Sequence, residues 1–302
     1  MPCTKPWPAK KVDGRMVHAP QYGEAEIELA CGQCFQCRLR RSRDWAMRAK
    51  HEAEGHSNNC FVTLTYANEY VPINGVKRSA IKKFMKDLRY RMGPGVRFMA
   101  CGEYGPRNTR PHYHLCLFNL KFEDQKFWSK TKAGSEIYRS QTLEKIWPYG
   151  HSSIGELTAE SAGYTARYVL KKVTGEEASK HYESVCPVTG EIFNLNPEFI
   201  QVSNRPGLGT EWISRNFRQV YARDSVIHKG KEVPVPFFYD KWLKANHPDL
   251  AEEVAQRRYE KRKSEKLSEL TDTRLLQMED AKISKLNQTN KREYETSSIR
   301  SI

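Results

Sequence analysis

His112 and His114 stand one residue apart in HYHLCLF, and Glu103 lies nine positions upstream in CGEYGPRNTRPHYH. In an extended strand, residues i and i+2 face the same side, so two imidazoles so placed can chelate one divalent ion. The plainer alternative is that one histidine packs while the other is hydrated. If the loop GPRNTRP closes a hairpin with Glu103 opposite the histidines, its carboxylate completes a two-His, one-carboxylate set with open positions. Such a set suits Mn2+ or Mg2+ and leaves room for a phosphate oxygen. A slip of one residue in the pairing would turn Glu103 to the other face.

A metal that polarises a phosphate needs a nucleophile, and GYTARYVLKK (163–172) offers one. On a helix, Ala162, Ala166, Val169, Leu170 and Val173 form one apolar face. Tyr164, Tyr168 and Lys171 fall on nearly the opposite side, with Lys172 at its edge. The tyrosines therefore stand off the packing stripe, as either nucleophiles or a platform for stacking bases. A tyrosine that attacks a DNA phosphate forms a phosphotyrosine and frees a 3′-hydroxyl, which keeps the bond energy for rejoining. A phenol ordinarily ionises near pH 10, so the metal's main service is to polarise and orient the phosphate. Lys171 or Lys172 could stabilise charge there, or simply be solvated.

Cys31, Cys34 and Cys37 follow a C-x2-C-x2-C pattern, and Cys3 could supply a fourth thiolate to a structural Zn2+. Three ordinary thiols near a helix start are the alternative. An iron–sulfur cluster fits less well, because no fourth cysteine follows three residues later. The helix beyond carries Arg38, Arg40, Arg41, Arg43 and Arg48 at many angles, a pattern for DNA phosphates or a solvated face, with Trp45 and Met47 as anchors. The turn RPGLG (205–209) offers backbone N–H groups to a phosphate, or is only a tight turn.

These groups need elements to hold them. FVTLTY (61–66) reads as a strand rich in β-branched and aromatic residues. Ile81, Phe84, Met85, Leu88 and Met92 recur at helical spacing up to the breaker GPG at 93–95. VRFMACGEY and HYHLCLF are two strands around the turn-forming loop. The stretch 121–148 reads as an insertion with a short helix near Leu143–Trp147, and HSSIGEL as a further strand. Thr158 can cap a helix from about Ala159, and PEFIQVSN is one more strand. From about residue 250 a charged stretch without Gly or Pro reads as a solvated helix or partly disordered extension. Residues 1–30 give no clear assignment. The order suggests an α+β domain with one antiparallel sheet and helices on one face.

Lys and Arg number 50 against 36 Asp and Glu, a formal net charge of +14, which favours a nucleic-acid partner over a membrane surface. No apolar run approaches the roughly 18 residues of a spanning helix, and the N-terminus lacks the apolar core of a secretory signal. The expected setting is a reducing cytoplasm, where cysteines are thiols or metal ligands. No Walker-type G-x4-G-K-[ST] is present, so a helicase would come from a partner.

Taken in order, CGQCFQCR, FVTLTY, CGEYGPRNTRPHYH, YTARYVLKK and SNRPGLG resemble the HUH endonuclease superfamily. More narrowly, the chain resembles replication initiators of microviruses in the gokushovirus-like branch, over roughly residues 30–215. The resemblance implies a ferredoxin-like antiparallel sheet with a metal on its face and a tyrosine helix alongside. It also implies rolling-circle initiation: one strand is nicked at the origin, the 5′ end is captured covalently, and a second transfer closes the circle. His112 and His114 match the histidine pair, with Tyr113 where an aliphatic is more usual. Glu103 matches the upstream ligand, and Tyr164 and Tyr168 match a Tyr-x3-Tyr pattern.

The organisation expected is a Cys-rich basic helical segment (1–55), an endonuclease core (56–215) and a C-terminal region with a charged tail (216–302). The function expected is a nickase and ligase of single-stranded origin DNA that uses Mn2+ or Mg2+ and relies on a host or separate helicase and polymerase. If the protein is viral, it works in the bacterial host's cytoplasm. The alternatives are a plasmid or transposon HUH nuclease and a non-catalytic, zinc-containing nucleic-acid-binding protein.

Overall fold

A computed structural model describes residues 3–13, 15–18, 25–105, 110–131, 134–171, 173, 177–185, 190–228, 230–264, 273–274, 276–281, 283–285 and 288, without the side chains of 168–171 and 177. The chain divides into two units, residues 1–44 with 213–295, and residues 45–212 with 296–302. Among the described residues no helix is long and apolar enough to cross a membrane.

The first unit opens with β1 (Trp7–Val12), β2 (Arg15–His18) and β3 (Ile27–Leu29), an antiparallel sheet in the order β2-β1-β3. Helix α1 (Phe35–Glu54) follows, with residues 35–44 in this unit and 45–54 in the second.

The second unit is built on β4 (Asn59–Tyr66), α2 (Arg78–Met92), β5 (Arg97–Tyr104) and β6 (Pro111–Phe118). It continues through β7 (Lys126–Lys130), β8 (Glu136–Arg139), α3 (Gln141–Ile146), β9 (Gly150–Glu156) and α4 (Ala159–Lys171). Next come α5 (Glu177–Tyr182), β10 (Glu183–Val185), β11 (Ile192–Asn194) and β12 (Phe199–Val202). Seven strands form one sheet in the order β12-β5-β6-β4-β9-β8-β7, every neighbouring pair antiparallel. The central strands β5-β6-β4-β9 make a split β-α-β arrangement, in which β6 lies between the two strands that α2 connects. The expected α+β class with a large antiparallel sheet is what the chain adopts.

Strand β4 shows how the sheet sorts its side chains. Cys60, Val62, Leu64 and Tyr66 are buried and alternate with half-buried Phe61, Thr63 and Thr65. The first set joins Ile81, Phe84, Met85 and Leu88 of α2 with Leu143, Ile146 and Trp147 in one core. Gly93, at φ +92, closes α2 with its N–H on the Arg89 carbonyl. Ser140 caps α3 by accepting from the Leu143 N–H at 3.1 Å.

Helices cover both faces of the sheet, not one. Met99, Cys116 and Phe118 on the second face pack with Ala49, Ala162 and Leu208, so α1 and α4 lie on that side. Almost every residue of β6 is buried, which one helical layer could not achieve. β7 and β8, in the stretch read as an insertion, extend the sheet instead. Their residues are mostly exposed, so no apolar alternation marks them.

The chain returns to the first unit through α6 (Thr210–Arg223), β13 (Ser225–His228), β14 (Lys231–Pro234), α7 (Phe237–Asn246) and α8 (Pro248–Ser264). Tyr221, Asp224, Asp240 and Arg258 are tied there by hydrogen bonds and ion pairs. α8 is the solvated helix expected of the charged stretch, with Val254 its buried anchor.

Candidate metal and tyrosine site

The β5–β6 ladder pairs Glu103 with His112 and Cys101 with His114. Directly opposed residues share a face, so Glu103 stands on the same side of the sheet as both histidines. Tyr113 and Leu115 point the other way into the core with α2. Glu103 and His114 are buried and His112 is half-buried. Glu103 Oε1 lies 2.7 Å from His114 Nε2.

Each histidine is oriented through its other ring nitrogen. His112 Nδ1 lies 2.7 Å from the Arg110 carbonyl, so it carries the proton and Nε2 is left as the lone-pair nitrogen. His114 Nδ1 is 3.0 Å from Thr63 Oγ1, and Phe61 stacks on the His114 ring with centroids 5.6 Å apart. Burial, and then the neighbouring His114, lower the His112 imidazole below its ordinary value of 6.5, which keeps it neutral at pH 7.

This donor set fits a hard or borderline divalent ion. Two ligands at adjacent corners of an octahedron with 2.1 Å bonds stand about 3.0 Å apart, close to the Glu103–His114 separation. Tying the second nitrogen of a ligating histidine to a carbonyl or hydroxyl is the usual outer-shell arrangement. The set stands open nonetheless. The two histidine centroids are 6.5 Å apart, and among the described residues only four cysteines bring three or more ligand atoms within 4.8 Å of one another.

α4 brings a phenol to this group. Thr158 Oγ1 accepts from the Ser161 N–H at 3.2 Å, and Ser161 Oγ accepts from the Thr158 N–H at 2.9 Å, a reciprocal cap that starts the helix. Ala162, Thr165 and Ala166 are buried against the sheet, small enough for close approach. Tyr164, off that stripe, donates its hydroxyl to Glu103 Oε1 at 3.3 Å and meets the His114 ring edge-on at 5.2 Å. The side chains of Tyr168 and Lys171, and the whole of Lys172, lie outside the described residues.

The basic helix divides along its length. Arg40, Arg41 and Arg43 are exposed, Arg41 bonding the Gly32 carbonyl, and Arg38 is half-buried. Arg48 corrects the expectation of a DNA contact. It is buried over the Trp45 ring and donates to the Leu208 carbonyl at 3.0 Å, because this part of α1 packs into the second core. The RPGLG turn is likewise engaged internally. The Gly209 N–H donates to Glu52 at 2.7 Å, and the Pro206 carbonyl accepts from Arg97 at 2.8 Å. Cys3, Cys31, Cys34 and Cys37 come together in the first unit.

Sequence reasoning missed Thr63, Phe61 and Arg110. Two of them sit in FVTLTY, whose alternation does put Phe61 and Thr63 on one face. Nothing local, however, told that face from the packed one.

A family model described as Replication-associated protein ORF2/G2P matches residues 59–173, from the start of β4 past the end of α4. Replication-associated protein VP4 of Bdellovibrio phage phiMH2K is 30% identical over 235 residues, covering 74% of this chain and 70% of that protein. Replication-associated protein ORF2 of Spiroplasma virus 4 is 35% identical over 235 residues, covering 73% and 69%. Replication-associated protein ORF4 of Chlamydia phage 1 is 32% identical over 160 residues, covering 50% and 40%. No solved structure matches the chain. The chain belongs to the family of phage replication-associated proteins, as a replication initiator of the microvirus-like kind that its motifs resemble.

Proposed function

We propose that this protein nicks and rejoins single-stranded DNA at a replication origin, with Tyr164 as nucleophile and a divalent ion, Mn2+ or Mg2+, held by Glu103, His112 and His114. The observation that carries this reading is the placement of the Tyr164 hydroxyl 3.3 Å from a carboxylate that is itself 2.7 Å from His114. When bound, the ion supplies polarisation and orientation of the scissile phosphate.

The protein's own groups do the rest. Glu103 receives the hydrogen bond of the Tyr164 hydroxyl and holds the phenol oxygen over the histidine face. A Tyr–O–P bond forms as the P–O3′ bond breaks. The departing 3′ oxygen takes up a proton, and the phenol gives up its own. The 5′-phosphotyrosine stores the ester for attack by another 3′-hydroxyl, which rejoins a strand and restores the phenol. Tyr168, one turn along, is assigned the second cleavage of the rolling circle, and Lys171 and Lys172 the stabilisation of phosphate charge. Exposed Arg40, Arg41 and Arg43 bind DNA phosphates, which makes binding salt-dependent. Unwinding and synthesis fall to a separate helicase and polymerase in the host cytoplasm.

The test uses labelled single-stranded oligonucleotides that tile the parent replicon, incubated with the full chain and Mn2+ or Mg2+. An SDS-stable protein–DNA adduct is expected on one of them, lost in Tyr164→Phe and in His112→Ala. Binding without any adduct from the wild type would overturn the nuclease reading and leave a non-catalytic nucleic-acid-binding protein.

A further inference from the structure

We propose that Cys3, Cys31, Cys34 and Cys37 bind one structural Zn2+ ion. The strands assemble the site. Pairing of Trp7 with Leu29 draws the start of β1 and the end of β3 together, so the Cys31 N–H donates to Cys3 Sγ at 3.3 Å. The next turn leads into α1, and it carries Cys34 and Cys37 to the same point.

The sulfur geometry matches a tetrahedral ion. Cys3 Sγ lies 3.7 Å from Cys34 Sγ and 3.6 Å from Cys37 Sγ, and Cys31 Sγ lies 4.0 Å from Cys37 Sγ. All four sulfurs fall within 4.8 Å of one another. Thiolates at about 2.3 Å from a tetrahedral zinc stand about 3.8 Å apart. The N–H groups of Gln33 and Cys34 both donate to Cys31 Sγ, at 3.4 and 3.3 Å, which fixes the position of that sulfur. Gly32, between Cys31 and Gln33, sits at φ +75, a conformation that a residue with a Cβ would resist.

The surrounding structure needs such a link. β2 is exposed along its length, and Pro8, Ala9 and Ile27 are the buried apolar side chains of β1 and β3. A three-stranded sheet with so little core gains its stability from elsewhere, and a closed site of four thiolates supplies it as folding energy. Four protein ligands leave no position for water or substrate, so the ion is structural. Binding releases the thiol protons to solvent and changes no oxidation state.

The test is metal analysis of the full chain, purified under reducing conditions from zinc-supplemented cells. One zinc per chain is expected, retained through dialysis and released as four thiols react with p-mercuribenzoate. Cobalt taken up in its place should show thiolate-to-cobalt charge transfer and intense tetrahedral bands. His112→Ala and Glu103→Ala should keep the zinc, and Cys34→Ser should lose it, which separates this site from the one proposed for the phosphate. Iron instead of zinc, a metal-free wild type that takes up neither zinc nor cobalt, or cobalt without thiolate bands would overturn the proposal.

Discussion

Glu103 is paired across the β5–β6 ladder with His112, yet its carboxylate bonds to His114, one pleat further along the strand, at 2.7 Å. That diagonal contact gathers three elements. β5 brings the acid, β6 the imidazole, and α4 the Tyr164 hydroxyl that shares the same carboxylate oxygen. His112, left out of the pair, has its ring fixed by the Arg110 carbonyl, with Nε2 turned away from that bond.

Thr63 acts on this group from β4, through its 3.0 Å contact with His114 Nδ1. Thr63→Val keeps the shape and removes the bond, so the imidazole loses its orientation. Outer-shell partners of metal-bound histidines typically matter about 10–100-fold in affinity or activity. Titrating adduct formation with Mn2+ should show a shift of that size to higher metal concentration for Thr63→Val, with the melting temperature nearly unchanged.

Gly102 lies beside Glu103, and a Cβ there would meet the Phe199 ring at 2.8 Å and Val76 at 3.1 Å. Both neighbours belong to the packed core, so neither can retreat freely. Gly102→Ala should cost about 1–3 kcal/mol, as overpacking does. Chemical denaturation would read this as a lower midpoint with an unchanged slope.

Glu52 accepts from the Gly209 N–H at 2.7 Å and pairs with Arg97. It is buried, so Glu52→Ala leaves a guanidinium and an amide short of a partner in a dry place. Breaking a buried pair from one side costs about 3–5 kcal/mol. The loss should appear in thermal unfolding, and Glu52→Gln should recover part of it by keeping an acceptor for Gly209.

Burial pushes the thiols of Cys60 and Cys116 up to about 12. In the unfolded chain a thiol ionises near pH 8.5. The folded pKa is raised, so the stability linked to these two thiols is intact below about pH 8.5. Above that the unfolded state sheds protons that the folded state keeps, and stability falls as pH rises toward 12. Denaturation between pH 7 and 10 should show this decline, and Cys60→Ala with Cys116→Ala should flatten it. Both thiols should also resist alkylation in the native protein at pH 8.

Much of the fold was legible locally. β4 follows from its β-branched and aromatic residues, α2 from the helical spacing of its apolar ones and β5 and β6 from the turn-forming loop between them, and Gly93 and Thr158 mark helix ends by their own chemistry. β7 and β8 were not legible, because strands that bury little carry no alternation to read. The first three strands were hidden for the same reason.

At the site, the sequence by itself determined the residue types and their phase. His112 and His114 must share a strand face, and Tyr164 must stand off the stripe of Ala162 and Ala166. It also determined the family, because the order of motifs is a property of the chain. The tertiary structure alone decided the register that sets Glu103 opposite His112, the approach of α4 that brings Tyr164 to Glu103, and the burial that withdraws Arg48. Periodicity fixes the direction of a side chain relative to its own backbone. Which elements pack against one another, and in what alignment, depends on contacts between residues far apart in the chain, and no short stretch contains those.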